Sequence, residues 1–129
     1  MKLQAFSSLF TTSLSINQPF PRQNWRHPKR DLSALESWLQ QIGPIGGTVP
    51  LPAFLYIFQN IKPAPDVVFF MTDGGFDPSQ APQIVRTATS IGGKEVEINT
   101  ICFESKAGES MMQDIAKQTG GKYRYVPAP

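Results

Sequence analysis

The chain has 129 residues, with hydrophobic residues at 40% and charged residues at 17%. That length and composition suit one folded domain with its own core and exclude disorder as the dominant state. One cysteine excludes an internal disulfide framework and a multi-cysteine zinc site, and the net charge of +2 points to no class of partner.

The charge is unevenly placed. Residues 1–30 hold Lys2, Arg22, Arg26, Lys29 and Arg30 and no acid, whereas residues 31–129 hold seven basic and ten acidic groups. No apolar run reaches the roughly 20 residues of a membrane span. Met1 to Phe10 has the apolar content of an export leader, but Gln4, Ser7 and Ser8 interrupt it. A strand is the expected reading, with the cytoplasm as the favoured compartment.

Residues 3–16 mix β-favouring and hydroxyl residues and predict one or two short strands. Residues 17–30 contain three prolines and no periodicity, which predicts a loop. A helix is expected from Asp31 to Ile42, with Ser33 and Glu36 at capping-box spacing and Leu35, Trp38, Leu39 and Ile42 on one face. Gly46-Gly47-Thr48 opens a second helix, whose early Pro50 and Pro52 cost it no backbone bond. Its buried stripe is Phe54, Ile57, Phe58 and Ile61.

Val67-Val68-Phe69-Phe70-Met71 is a continuous apolar run, the pattern of a strand buried on both faces of a parallel sheet. A helix over 79–91, a strand over 96–103, a helix over 108–119 and a strand from Tyr123 to Val126 follow. Alternating helices and strands predict an α/β fold with a parallel sheet and helices on both faces. The chain divides into an N-terminal segment of strands and basic Pro-rich loop, 1–30, and an α/β core, 31–129, within one domain.

Ligands of open α/β sheets sit beyond the carboxyl ends of the strands. Asp73 falls there, before Gly74 and Gly75, and can serve as a cation ligand, a base, or a cap or turn residue. The glycines would allow a sharp turn and close backbone approach. Asp77 reads first as a cap for the next helix. Thr48 reads either as a helix N-cap or as a hydroxyl sharing a rim with Asp73; hydroxyl and carboxylate oxygens suit a hard cation such as Mg²⁺.

These pieces in this order resemble the von Willebrand factor type A (VWA) family, bacterial members in particular. They are Gly46-Gly47-Thr48, Asp66 to Gly75, Ile98 to Ile101, Ile115-Ala116, and Thr119 to Tyr123, within a span from about Ser33 to Val126. The resemblance implies a three-layer, Rossmann-like, doubly wound, mostly parallel sheet. It also implies a non-enzymatic adhesion or scaffold module with a metal-ion-dependent adhesion site (MIDAS). The family's threonine carries onto Thr48 and its aspartate onto Asp73. Gly47, Gly74, Gly75 and Asp77 would line the partner-binding rim. The family's Asp-x-Ser-x-Ser loop has no counterpart here, and Thr12-Ser13-Leu14-Ser15 lacks the aspartate. The chain therefore reads as a member lacking the first strand and helix, with a degenerate site holding Mg²⁺ or Mn²⁺ weakly. Its expected partner is a protein offering an acidic side chain. Loss of the first strand would also leave the 67–71 strand an open edge, to be filled by the N-terminal segment or by a second chain, unless the sequence is a fragment of a longer protein that carries the strand.

Two other functions compete. A metal-dependent hydrolase could use Asp73, but it needs a second convergent carboxylate or base. Residues 22–30 mix Arg22, Trp25, Arg26, His27, Lys29 and Arg30 in the manner of a nucleic-acid contact, or of a solvated loop. His27 is the single histidine, far in sequence from Asp73, which argues against a His-dependent triad. Gly92-Gly93-Lys94 lacks the remaining residues of a phosphate loop. Cys102 reads as a buried hydrophobe, and Gly120-Gly121 as a helix C-cap.

Overall fold

The computed structural model describes residues 9–11, 17–19, 27–41, 49–73, 75–90 and 95–129. Nine elements occur in them: β1 (Leu9–Thr11), β2 (Asn17–Pro19), α1 (Pro28–Gln41), α2 (Leu51–Asn60), β3 (Val67–Thr72), α3 (Gln80–Ser90), β4 (Glu97–Phe103), α4 (Glu109–Thr119) and β5 (Tyr123–Val126). Strands β3, β4 and β5 form a parallel sheet in that order, with Val67 opposite Glu97 and Thr100 opposite Tyr123. Strands β1 and β2 pair antiparallel as a separate two-stranded sheet, with Leu9 opposite Pro19. The expected α/β architecture, a parallel sheet flanked by helices, is therefore present.

The N-terminal segment differs from expectation in two places. Asn17–Pro19, read as loop, is the strand that pairs with β1. Helix α1 begins at Pro28, three residues before the expected start. Pro28 stands at the first helical position, where its fixed φ helps and its missing N–H costs nothing. The His27 backbone N–H donates to Asp31 Oδ2 at 2.8 Å, and the Lys29 N–H donates to the His27 ring at 3.3 Å. Asp31 and His27 thus satisfy this helix start. Ser33 and Glu36 lie exposed inside the helix and form no capping box.

Helix α2 has Pro50 at its N-cap and no side-chain cap there. Its first N–H, of Leu51, donates instead to Oε1 of Gln80 in α3 at 3.0 Å. Thr48 is two residues outside the N-cap position and, with Gly46 and Gly47, lies outside the described residues. The apolar stripes of α2, α3 and α4 dock as expected, whereas Ile42 of the stripe expected in α1 lies outside the described residues. Phe54, Phe58, Ala81, Ile84, Ala88, Met112 and Ile115 are buried in one cluster with Ile98 and Cys102 of β4, and Val68 and Phe70 pack at its margin. Cys102 is buried and unbridged, and burial raises its thiol pKa. It is an inert core residue, as expected.

Along β4 the burial alternates, with Ile98, Thr100 and Cys102 turned toward the helices. The hydroxyl this places in the core, Thr100, donates to the Met112 carbonyl of α4 at 2.7 Å. Helix α4 ends in a Schellman turn: Gly120 takes φ +74°, the Gly121 N–H donates to Ala116 O at 2.8 Å, and the Gly120 N–H donates to Lys117 O at 3.5 Å. Thr119 Oγ1 bonds the Ile115 carbonyl at 2.8 Å and accepts the Ile98 N–H at 3.1 Å, so the end of α4 is fastened to the start of β4.

The expectation of two-sided burial fails at β3. Phe69 is 71% exposed and Met71 57% exposed. Among the described residues, the helices that pack on the sheet, α2 to α4, cover one face. Residues 67, 69 and 71 point to the other. A continuous apolar run records that both faces of a strand are apolar; it does not specify what covers them.

Candidate functional site: the rim at the carboxyl ends of the strands

Parallel pairing sends three strand ends to one rim: Thr72-Asp73 from β3, Phe103-Glu104 from β4 and Val126-Pro127 from β5. Thr72 is buried, and Asp73, the next residue, is exposed. No described residue hydrogen-bonds the Asp73 carboxylate. Gly74 lies outside the described residues. Gly120 is the one described glycine at positive φ, so Gly75 turns without a left-handed backbone. A methyl group at Gly75 would lie 3.4 Å from the Ala107 carbonyl oxygen, an ordinary contact. Gly75 thus marks where the β3–α3 loop touches the β4–α4 loop.

Asp77 has a local partner. Its Oδ1 accepts the Ser79 N–H at 2.9 Å, forming an Asx turn that leads into α3. The bond from the Ser79 backbone, more than any other cause, lowers the Asp77 pKa. This is the helix-entry role the sequence favoured.

The β4–α4 loop contributes features that sequence reasoning missed. Glu104 holds φ +64°, the one described non-glycine residue with positive φ. Its N–H donates to Val126 O at 2.8 Å, and its carbonyl accepts the Tyr125 hydroxyl at 3.3 Å. The Ser105 N–H turns back to Phe103 O at 2.7 Å, and Ser105 Oγ accepts the Ala107 N–H at 3.1 Å. Lys106 Nζ stands 4.7 Å from the centroid of the Tyr125 ring, a cation–π contact. Nothing in the sequence marks Glu104, because an unfavourable φ enforced by neighbouring bonds leaves no compositional trace.

The rim therefore presents Asp73, Asp77 and Glu104 with Lys106. Among the described residues no three His, Cys, Asp or Glu side chains converge as a metal group. Mg²⁺ demands near-octahedral oxygen ligation, and the described residues offer Asp73 alone as an uncommitted carboxylate at the end of β3. These donors do not by themselves fit a tightly held cation. Thr48, the second expected ligand, and Gly47 are outside the described residues.

The other expected features lie elsewhere. Of the basic loop, residues 22–26 are outside the described residues. Arg30 bonds Asp31 through Nε at 3.2 Å and Nη2 at 3.1 Å, which offsets one of its charges. A shallow depression lined by Gln83, Arg86, Thr87 and Ser90 lies along α3. No described helix is long and apolar enough to cross a membrane.

No protein-family model matches the chain, and no curated protein matches it. Solved structures do. A crystal structure of proximal thread matrix protein 1 (PTMP1) from the mussel byssus superimposes with a TM-score of 0.68 at 15% identity, over 95% of this chain and 30% of that one. A second structure of PTMP1, with a zinc-occupied MIDAS motif, gives 0.67 at 14% identity, over 95% of this chain and 31% of that one. The chain thus spans under a third of the PTMP1 chain. The likeness establishes the fold: a VWA-like, Rossmann-like α/β arrangement.

Proposed function

We propose that this chain is a non-enzymatic protein-interaction module of VWA type. Its contact face is the rim made by Gly47, Thr48, Asp73, Gly74, Gly75 and Asp77. The observation that carries this reading is the exposed, uncommitted carboxylate of Asp73 at the carboxyl end of β3, in a fold shared with a protein that holds zinc at a MIDAS motif. Thr48 and Asp73 are the proposed metal ligands. With no Asp-x-Ser-x-Ser loop in the sequence, the site is degenerate: Mg²⁺ or Mn²⁺ binds weakly when the chain is alone. An acidic side chain from a protein partner would supply a missing oxygen ligand.

Titration calorimetry with Mg²⁺ and Mn²⁺ tests this reading, with and without an acidic peptide. The expected result is no sub-millimolar binding to the chain alone and tighter binding with the peptide, lost in Asp73→Ala. Sub-millimolar binding by the chain alone, lost in the same variant, would show a complete site. Turnover of phosphate or acyl esters with Mn²⁺, lost in Asp73→Asn, would overturn the non-enzymatic reading.

A further inference from the structure

The outer edge of β3 is paired with no described strand, and its sequence carries none of the devices that keep such edges apart. Val67–Thr72 contains no charge and no proline, although lysines, prolines and bulges are the usual protection. Exposure also peaks at this strand. Phe69 and Met71 are 71% and 57% exposed, whereas Ile101 and Phe103, one strand inward on the same face, are half-buried.

The backbone fixes which groups face outward. The Asp66 carbonyl accepts the Glu97 N–H at 3.0 Å, so even-numbered residues of this stretch turn their backbone groups toward β4. Val67, Phe69 and Met71 therefore turn theirs away from it. Three outward-facing pairs of N–H and C=O groups lie in one row with three apolar side chains.

We propose that this edge pairs antiparallel with β3 of a second copy of the chain, with Phe69 on the two-fold axis, making one continuous sheet of six strands. The proposal is independent of the rim reading. A two-fold axis through such a pair stands perpendicular to the sheet and keeps each face on its own side. Directly opposed residues must share a face, so their two residue numbers must add to an even total. Asp66 and Asp73 add to an odd one. No allowed register therefore sets Asp66 of one copy opposite Asp73 of the other, a like-charge placement that would be repulsive. With Phe69 on the axis, Phe69 faces Phe69, Val67 faces Met71 and Asp66 faces the hydroxyl-bearing Thr72. A shift of the axis to Phe70 would set Val67 against Asp73. The outward backbone groups of 67, 69 and 71 then meet their counterparts as hydrogen-bonded pairs, and the two exposed phenylalanines become a cross-strand aromatic pair.

Sedimentation equilibrium of the full chain tests the stoichiometry, and a cysteine at the axis tests the geometry. Cα atoms of a hydrogen-bonded antiparallel pair lie about 5.5 Å apart, inside the roughly 4.4–6.8 Å range of disulfides; two sheets stacked face to face lie about 10 Å apart. The wild-type chain is expected to form a concentration-dependent dimer. Phe69→Cys should cross-link two copies under mild oxidation, whereas Met71→Cys should not. Phe69→Lys, at a position too exposed to disturb the core, should remain monomeric at concentrations where the wild type dimerises, with its circular dichroism unchanged. If Phe69→Lys failed to fold, the cross-linking pair alone would decide. A wild-type chain that is monomeric at every concentration, or a dimer in which position 69 does not cross-link, would overturn the proposal.

Discussion

Gly120 and Gly121 are adjacent and chemically identical, yet replacing each with alanine has a different predicted cost. A methyl group on Gly121 would sit 2.0 Å from the Ile98 carbonyl oxygen, 2.5 Å from its carbon and 3.0 Å from the Asn99 nitrogen. All three atoms belong to the backbone of the central strand, so no side-chain rotation relieves the clash. The turn must retreat by roughly 1 Å, judged against the 3.0 Å floor of real contacts. Overpacking of this kind costs about 1–3 kcal/mol. The retreat also pulls Thr119 from Ile98, and an orphaned buried N–H costs about 1–3 kcal/mol more. Gly121→Ala should therefore destabilise by about 2–6 kcal/mol. At about 4 °C per kcal/mol for a chain of this size, its melting point should fall by about 8–24 °C. Gly120→Ala meets no atom within 4 Å and bears only its left-handed φ of +74°, worth about 1–2 kcal/mol and, by the same conversion, about 4–8 °C. Thermal and urea denaturation of both variants measures the difference. A Gly121→Ala protein melting no lower than Gly120→Ala would refute the close approach of this turn to β4.

Thr119→Val keeps the volume but removes the acceptor of the Ile98 N–H, and should cost about 1–3 kcal/mol in urea denaturation. Tyr123 donates to Glu109 at 2.9 Å, and burial first, then this bond, raises its pKa above the ordinary value of 10. Its contribution is complete below about pH 10 and is lost as pH rises further; Tyr123→Phe should cost about 1 kcal/mol at pH 7 and show a smaller loss of stability on going to alkaline pH than the wild type. Asp77, with its pKa lowered by the Ser79 N–H, contributes stability above the ordinary carboxylate range that disappears as pH falls through its folded pKa. Asp77→Asn should flatten the acid limb of the melting-point curve.

The elements from residue 51 onward are legible in the sequence because periodicity, proline and glycine agree there. β5 falls where Tyr123 to Val126 predicts it, and the Gly120 C-cap follows from the glycines alone. The start of α1 is misplaced because Ser33 and Glu36 match a capping box, while the actual cap depends on a His27–Asp31 pairing that no common motif records. The exposure of Phe69 and Met71 is hidden because β-propensity and hydrophobicity describe the strand and not its neighbours. At the rim, Asp73 is marked by its position after an apolar run. The left-handed Glu104 results from bonds made by Val126 and Tyr125, more than twenty residues away in sequence, and is invisible locally.

The order β3-β4-β5 has a temporal meaning. Each strand after β3 lies beside the one synthesised just before it, joined through a single helix. No strand has to be threaded between two already paired, and each closing loop is short, which keeps the entropic barrier to each addition low. This sheet can grow in the direction of translation, one helix–strand step at a time. Its last step, the Schellman turn of α4 and the pairing of β5, requires residues only as far as Val126. The strand made first is also the one whose outer edge pairs with no described strand when that growth is complete.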